Sequence, residues 1–154
     1  MYRVDDFPVV FLTADIVVVQ SGRILLIERK HEPFRGAWAL PGGFFDVETD
    51  SDIMDAAVRE LSEETSLTAA RDELEWVGVF SKKNRDPREA IASKPCRIVS
   101  TAFLLRTEKA LDPCAKDDAK QLRWFDLNAL PDLAFDHAEI IDSALKRARD
   151  HTTR

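Results

Sequence analysis

The stretch LPGGFFDVETDSDIMDAAVRELSEETSL, residues 40–67, decides how this chain is read. It joins a turn that no regular helix tolerates, Leu40-Pro41-Gly42-Gly43, to a segment patterned as one. Ser51 or Asp52 can cap that helix, and Ile53, Ala57 and Leu61 recur at i, i+4 and i+8, so Asp52 to Thr65 has one core-facing stripe. At about 100° per residue, Glu60, Glu63 and Glu64 share one arc against the edge of the stripe. Such like-charge neighbours cost roughly 0.2–0.5 kcal/mol per pair in an isolated helix, and Arg59 to Glu63 is the one compensating pair. A solvated acidic face is the plain reading of this pattern. Two features favour a metal site: the glutamates flank the core stripe instead of opposing it, and the glycine turn delivers flexible backbone just upstream. Glycine carbonyls and carboxylates are the hard oxygen donors that Mg²⁺ or Mn²⁺ prefers.

Outward from this stretch, Val9 to Val19 and Arg23 to Arg29 are rich in β-branched residues and flank the turn-like Gln20-Ser21-Gly22, which predicts a hairpin. Lys30 to Phe45 reads as a long shaped loop around a short strand at Ala37 to Leu40. Further strands are expected at Leu74 to Lys82, Arg97 to Arg106 and Gln121 to Asp126, with a basic loop, Lys83 to Pro95, between the first two. A second helix, about 136–150, closes the chain. Asp136 and Glu139 are spaced as its capping box, Ile140, Ile141, Ala144, Leu145 and Ala148 form its buried face, and Lys146, Arg147 and Arg149 lie at its dipole-negative end. Strands and helices mixed in 154 residues predict a single α/β sandwich domain spanning residues 1–154.

With 45% hydrophobic and 32% charged residues, collagen-like and disordered classes are excluded. The net charge of −6 argues against a nucleic-acid coat or a polybasic membrane anchor, and no apolar run is long enough to span a bilayer. Cys96 and Cys114 form neither a disulfide framework nor a zinc spacing, which fits a reducing cytoplasm. Resolved along the chain, the charge separates into an acidic segment, Asp46 to Glu64, with a balance of −7, and a basic one, Lys82 to Arg97, with +4. The expectation is that these face each other across one cleft.

Gly43 through Leu67 resembles the Nudix box, G-x5-E-x7-R-E-U-x-E-E-x-G-U with U apolar. Arg59-Glu60-Leu61-Ser62-Glu63-Glu64-Thr65-Ser66-Leu67 matches every defined position but one, with Ser66 in place of glycine. In the first half the spacing is two residues longer, so Thr49 meets the first glutamate position and Glu48 or Asp50 takes its place. The segments His31 to Phe44, Phe80 to Arg88, Asp117-Asp118-Ala119 before Trp124-Phe125, and Leu133-Ala134-Phe135-Asp136-His137 are similar to the branch of ADP-ribose pyrophosphatases and ADP-ribose-sensing regulators. The resemblance implies an α/β/α sandwich with a mixed sheet between helices and hydrolysis of a nucleoside diphosphate derivative, with ADP-ribose giving AMP and ribose 5-phosphate as first choice. It further implies that Glu60, Glu63, Glu64 and the Gly42 carbonyl coordinate Mg²⁺, with Mn²⁺ as substitute. Arg59 would orient Glu63 or a neighbouring carboxylate, and the general base would be Glu60 or a loop acid, Glu89, Asp117 or Asp118.

Arg85 and Arg88 are the candidates to grip the substrate phosphates bidentately, with Arg35 a weaker one; a solvated basic loop is the alternative. Trp38, Trp76 and Trp124 read as core or rim, and neither cysteine has an activating neighbour. His31, His137 and His151 form no metal spacing, and His137, just past the expected helix cap, reads as structural. Two other functions stay open: a non-catalytic ADP-ribose sensor, for whose DNA-binding module 154 residues leave little room, and an enzyme for nucleoside triphosphates, dinucleoside polyphosphates or NADH. The partner expected is a small nucleotide, with neither nucleic acid nor membrane, and a homodimer would use the apolar N-terminal strand with Phe7 and Phe11.

Overall fold

The computed structural model describes residues 1, 3–108, 111–114 and 119–152. The chain runs β1 (Val9–Gln20), β2 (Arg23–Arg29), β3 (Trp38–Ala39), β4 (Gly42–Phe44), α1 (Ile53–Thr65), β5 (Leu74–Phe80), α2 (Arg88–Ile91), β6 (Cys96–Arg106), β7 (Ala119–Asp126) and α3 (His137–Thr152). Ser21 and Gly22, both at positive φ, close the β1–β2 hairpin, as the sequence predicts. The four-residue helix α2 inside the expected basic loop, and the strand β4, were not legible from pattern alone.

β1 organises the sheet. Along one edge it pairs in parallel with β6 over eleven residue pairs, from Val9 to Val19, and β6 then carries β5 antiparallel. Along the other edge it pairs with β2 only at Val18, Val19 and Gln20, after which the two strands diverge. The fork is filled by the turn: β3 adds to β2 at Ile27 and Glu28, and β4 adds to β1 at Thr13, Ala14 and Asp15. Leu40 and Pro41 bridge the prongs, with Ile16 N–H donating to the Pro41 carbonyl at 2.9 Å. The parallel β1–β6 pair among antiparallel neighbours makes the sheet mixed.

Each face of the sheet buries one helix. Ala14, Ile16, Val18, Leu25, Phe103 and Leu105 meet Ala56, Ala57 and Leu61 of α1, whereas Val17, Ile24, Leu26, Ala102 and Leu104 meet Ile140, Ile141 and Ala144 of α3. Burial on both faces explains why β1 and β2 read as continuous apolar runs. The helices start differently. Asp52 caps α1, its carboxylate accepting from Met54 and Asp55 N–H at 3.0 Å. The capping box expected at α3 does not form: Asp136 spends both carboxylate oxygens on Arg85, and Glu139 reaches Lys82. Charge-assisted bonds to a guanidinium outcompete a neutral backbone donor. At the end of α1, Ser66 adopts φ 61, the left-handed conformation for which the box pattern has glycine; its hydroxyl donates to the Cys114 carbonyl at 3.0 Å, offsetting part of the steric cost.

The two glycines of the turn have different reasons. A Cβ on Gly42 would collide with the Ala14 carbonyl and crowd Asp15, both fixed by the ladder, whereas a Cβ on Gly43 would meet only the end of the Glu60 side chain. Gly42→Ala is therefore expected to cost at least about 1–3 kcal/mol of unfolding free energy in urea titrations, with Gly43→Ala nearer to neutral, because a side chain can swing aside and a paired strand cannot.

Candidate active site

The fork opens onto a cleft of about 350 Å³ whose lining includes Thr13, Asp15, Arg29, Gly42, Gly43, Glu60, Glu64, Arg85, Arg88, Phe135 and His137. The acidic and basic segments of the sequence thus do meet across one cleft. The acidic wall is α1 against the glycine turn. Gly42 N–H donates to Glu64 Oε2 at 2.9 Å. In β4, Gly43 pairs toward β1 while Gly42 points away from it, so backbone alternation sends the Gly42 carbonyl to the same side as its N–H, beside Glu64. Glu64 is 7% exposed, and burial, reinforced by repulsion from Glu60 and Asp15 and opposed by the Gly42 bond, pushes its carboxyl up to about 8. Burial raises Glu60 also, against the pull of Arg59.

Arg59 is the organiser of this wall. Its guanidinium donates to both oxygens of Asp50 at 2.8 Å, to Glu60 at 2.8 Å, to Glu63 at 3.0 Å and to the Phe44 carbonyl at 2.9 Å. Of the two acids beside the displaced first position of the box, Asp50 and not Glu48 is the one that pairs with Arg59. The two-residue insertion folds into a turn in which Asp46 N–H binds Asp50 Oδ2 and Asp50 N–H binds the Asp46 carbonyl, aiming Asp50 at Arg59. Glu63 differs from expectation: its side chain is 47% exposed, lies outside the cleft lining and is held by Arg59. Among the described residues no three His, Cys, Asp or Glu side chains converge closely enough to cage a cation. The donors that do fit a hard divalent ion are Glu60, Glu64 and the Gly42 carbonyl: oxygen atoms on one wall, with both carboxylates raised chiefly by burial.

The opposite wall is basic and aromatic. Arg88 is clamped by Asp86 at 2.6–3.2 Å and lies over the rings of Phe44 and Phe135, at 4.8 and 5.7 Å. Burial pushes the Asp86 carboxyl up, but Arg88 and Arg85 outweigh it and hold it low. Arg85 does not present a free fork to substrate. Its side chain is 3% exposed and gives Nε and Nη2 to Asp136 at 2.8 and 2.6 Å, with Nη1 3.4 Å from the Ile98 carbonyl. Arg35 is exposed and outside the cleft lining. Glu89 is also turned away, accepting from Asn84 N–H and Ile98 N–H at 3.0 Å. Asp117 and Asp118 lie outside the described residues.

Arg29 and Lys30, both of which line the cleft, were missed in the sequence. Arg29 stands over Phe135 at 4.8 Å; its Nε donates to the Pro33 carbonyl at 2.7 Å, and its two Nη groups have no hydrogen-bond partner among the described residues. Burial and then Arg88 lower its pKa, so an anion between the two guanidinium groups would relieve both effects. The signal was the strand boundary: Arg29 is the last residue of β2, where the fork opens.

The NUDIX domain family matches residues 10–144. The chain belongs to the Nudix family. It is 41% identical over 145 residues to an ADP-ribose pyrophosphatase of Methanocaldococcus jannaschii, covering 94% of this chain and 78% of the relative. It is 34% identical over 157 residues to the ADPR responsive transcriptional repressor NtrR of Acinetobacter baylyi, covering 98% of this chain but 59% of that longer protein. Among solved structures, the NUDIX domain of Shewanella oneidensis NrtR complexed with ADP ribose superimposes with a TM-score of 0.81 at 26% identity, covering 96% of this chain and 94% of that one. The Nudix α/β/α sandwich and its mixed sheet are thereby established for this chain. No helix of the described residues is long and apolar enough to cross a membrane.

Two expectations follow for this Nudix cleft. In chelator, the folded state retains a proton on Glu64 between about pH 4.5 and 8 that the unfolded chain has released, so stability falls as pH rises through that window. Urea titrations at intervals across it should show a decline of up to a few kcal/mol that Glu64→Gln flattens. Arg85→Ala, which strands Asp136, should cost about 3–5 kcal/mol in the same assay.

Proposed function

We propose that this Nudix protein hydrolyses the pyrophosphate bond of a nucleoside diphosphate derivative, with ADP-ribose as the first substrate to test and AMP and ribose 5-phosphate as products. The observation that carries this reading is the pairing, in one cleft, of the Glu64–Gly42 contact and Glu60 with Arg29 and Arg88 opposite. The likeness to an ADP-ribose pyrophosphatase supports the substrate. Glu60, Glu64 and the Gly42 carbonyl would hold Mg²⁺ or Mn²⁺. A divalent ion bound there supplies positive charge to non-bridging phosphate oxygens and acidifies water. Arg29 supplies open Nη donors for a phosphate oxygen, and Arg88, fixed by Asp86, carries positive charge to the mouth of the cleft. The Phe44 and Phe135 rings beneath these guanidinium groups give the nucleotide an apolar surface. Arg59 sets the rotamers of Glu60 and Glu63 and takes no part in the bond changes.

A sensor that binds ADP-ribose without turnover is favoured by the second relative, an ADPR responsive repressor. The intact Glu60, Glu63, Glu64 and Arg59 favour catalysis. That neither Cys96 nor Cys114 is disulfide-bonded supports a reducing, cytoplasmic location. A homodimer would cover Val9, Val10, Phe11 and Leu12, all exposed on β1.

The deciding experiment measures AMP released from ADP-ribose with Mg²⁺, with Mn²⁺ and with chelator, beside a panel of nucleoside triphosphates, dinucleoside polyphosphates and NADH. Turnover should require the metal, and Glu64→Gln should lower kcat by at least about 10²-fold. Arg29→Ala should raise KM more than it lowers kcat. Tight ADP-ribose binding with no product would replace the enzyme by the sensor, and faster cleavage of another panel member would replace the substrate.

A further inference from the structure

The segment Leu133-Ala134-Phe135-Asp136-His137 forms a hook on the glycine turn, and the function above uses only its Phe135. Leu133 bridges Trp38 in parallel, and Ala134 N–H donates to the Trp38 carbonyl at 2.8 Å. Phe135 then reverses the chain at φ 54, Asp136 locks to Arg85, and His137 opens α3. The residue is 4% exposed. Its Nδ1 accepts from Leu40 N–H at 3.0 Å, so Nδ1 carries no proton; Nε2 carries the ring proton and faces Asp15 Oδ1 at 3.5 Å. Both contacts bear on the turn. Leu40 leads into Pro41, whose carbonyl is fixed by Ile16, and Asp15 lies directly beneath Gly42, where a Cβ would strike its carboxylate.

The groups facing the imidazole are Asp15 from β1, Asp136 beside it, Arg85 from the basic loop and Arg29 from β2. Burial dominates and, with the two arginines, holds the imidazole below its ordinary range against the pull of the two acids. The neutral acceptor form is therefore the resting one.

We propose that His137 is a positioning residue: by accepting from Leu40 N–H and backing Asp15, it seats the Pro41-Gly42-Gly43 turn on which the placement of Glu64 and Glu60 depends. This rests on the hydrolase reading above. The substitution His137→Asn keeps an acceptor, Oδ1, where Nδ1 stood, and His137→Leu removes it.

The test compares the two variants with the unaltered full chain in kcat and KM for ADP-ribose, in Mn²⁺ affinity read from the free-ion EPR signal, and in hydrogen exchange of the Leu40 amide. His137→Leu should lower kcat by about 10²-fold with KM within about threefold, because a small displacement of reacting groups acts on the chemical step. Mn²⁺ affinity should fall about tenfold or more and the Leu40 amide should exchange faster. His137→Asn should recover at least about tenfold of the lost kcat. A folded His137→Leu protein with kcat and Mn²⁺ affinity within about threefold of the unaltered chain overturns the proposal, as does His137→Asn losing as much as His137→Leu. Should His137→Leu not fold, His137→Asn decides alone, a loss of about 10²-fold in the folded variant counting against. If the unaltered protein cleaves no nucleoside diphosphate derivative, the hydrolase reading fails, and Mn²⁺ affinity with Leu40 exchange still decides the role of His137.

Discussion

The structure depends on a fork in its sheet. β1 and β2 stay paired for three residues and then part, because β1 continues alongside β6 while β2 turns its edge to β3 and β7. Two diverging strands leave backbone groups without partners, and buried backbone must be satisfied. The turn from Trp38 to Phe44 does this for both prongs at once, giving β3 to one and β4 to the other. The same step that completes the sheet places the Gly42 N–H, with no ladder partner, against the carboxylate of Glu64. Site and fold are built by one set of hydrogen bonds.

Electrostatics across the cleft has the opposite character. On the acidic wall Glu60 and Glu64 are buried beside each other; burial penalises their charged forms, and the pull of Arg59 on Glu60 and of the Gly42 N–H and Arg29 on Glu64 does not offset it. On the basic wall Arg29 and Arg88 crowd one phenyl ring. Each wall is under-compensated in its own sense, so a cation on one and an anion on the other gain more here than they would on an open surface. A metal–pyrophosphate substrate brings both at once. Behind this front stands a pair whose charges are spent internally, Arg85 with Asp136.

Much of this was legible in order along the chain. The hairpin, α1 with its Asp52 cap, the strands β5, β6 and β7, and α3 follow from period and turn residues within a few positions. The Arg59–Glu63 pair followed from helical spacing. What failed did so where a side chain had two partners to choose from. Asp136 was spaced to cap a helix and instead took Arg85, 51 residues away in sequence. Arg85 looked like a phosphate ligand because an arginine in a basic loop shows its charge and not its partner. Glu63 carried the same chemistry as Glu64, one residue away, yet 100° of rotation separates an exposed side chain from a buried one.

The sequence by itself determined the α/β class, the Nudix box and the residue types at the site, because these rest on local periodicity and on chemistry that a side chain carries wherever it lies. Tertiary structure alone decided which of those groups line the cleft. Arg29 enters it because β2 ends at the fork, Arg85 lines it with its guanidinium already taken by Asp136, and His137 joins it through a backbone donor 97 residues upstream. Such choices depend on distances between segments remote in sequence, and pairing of the sheet is what sets them.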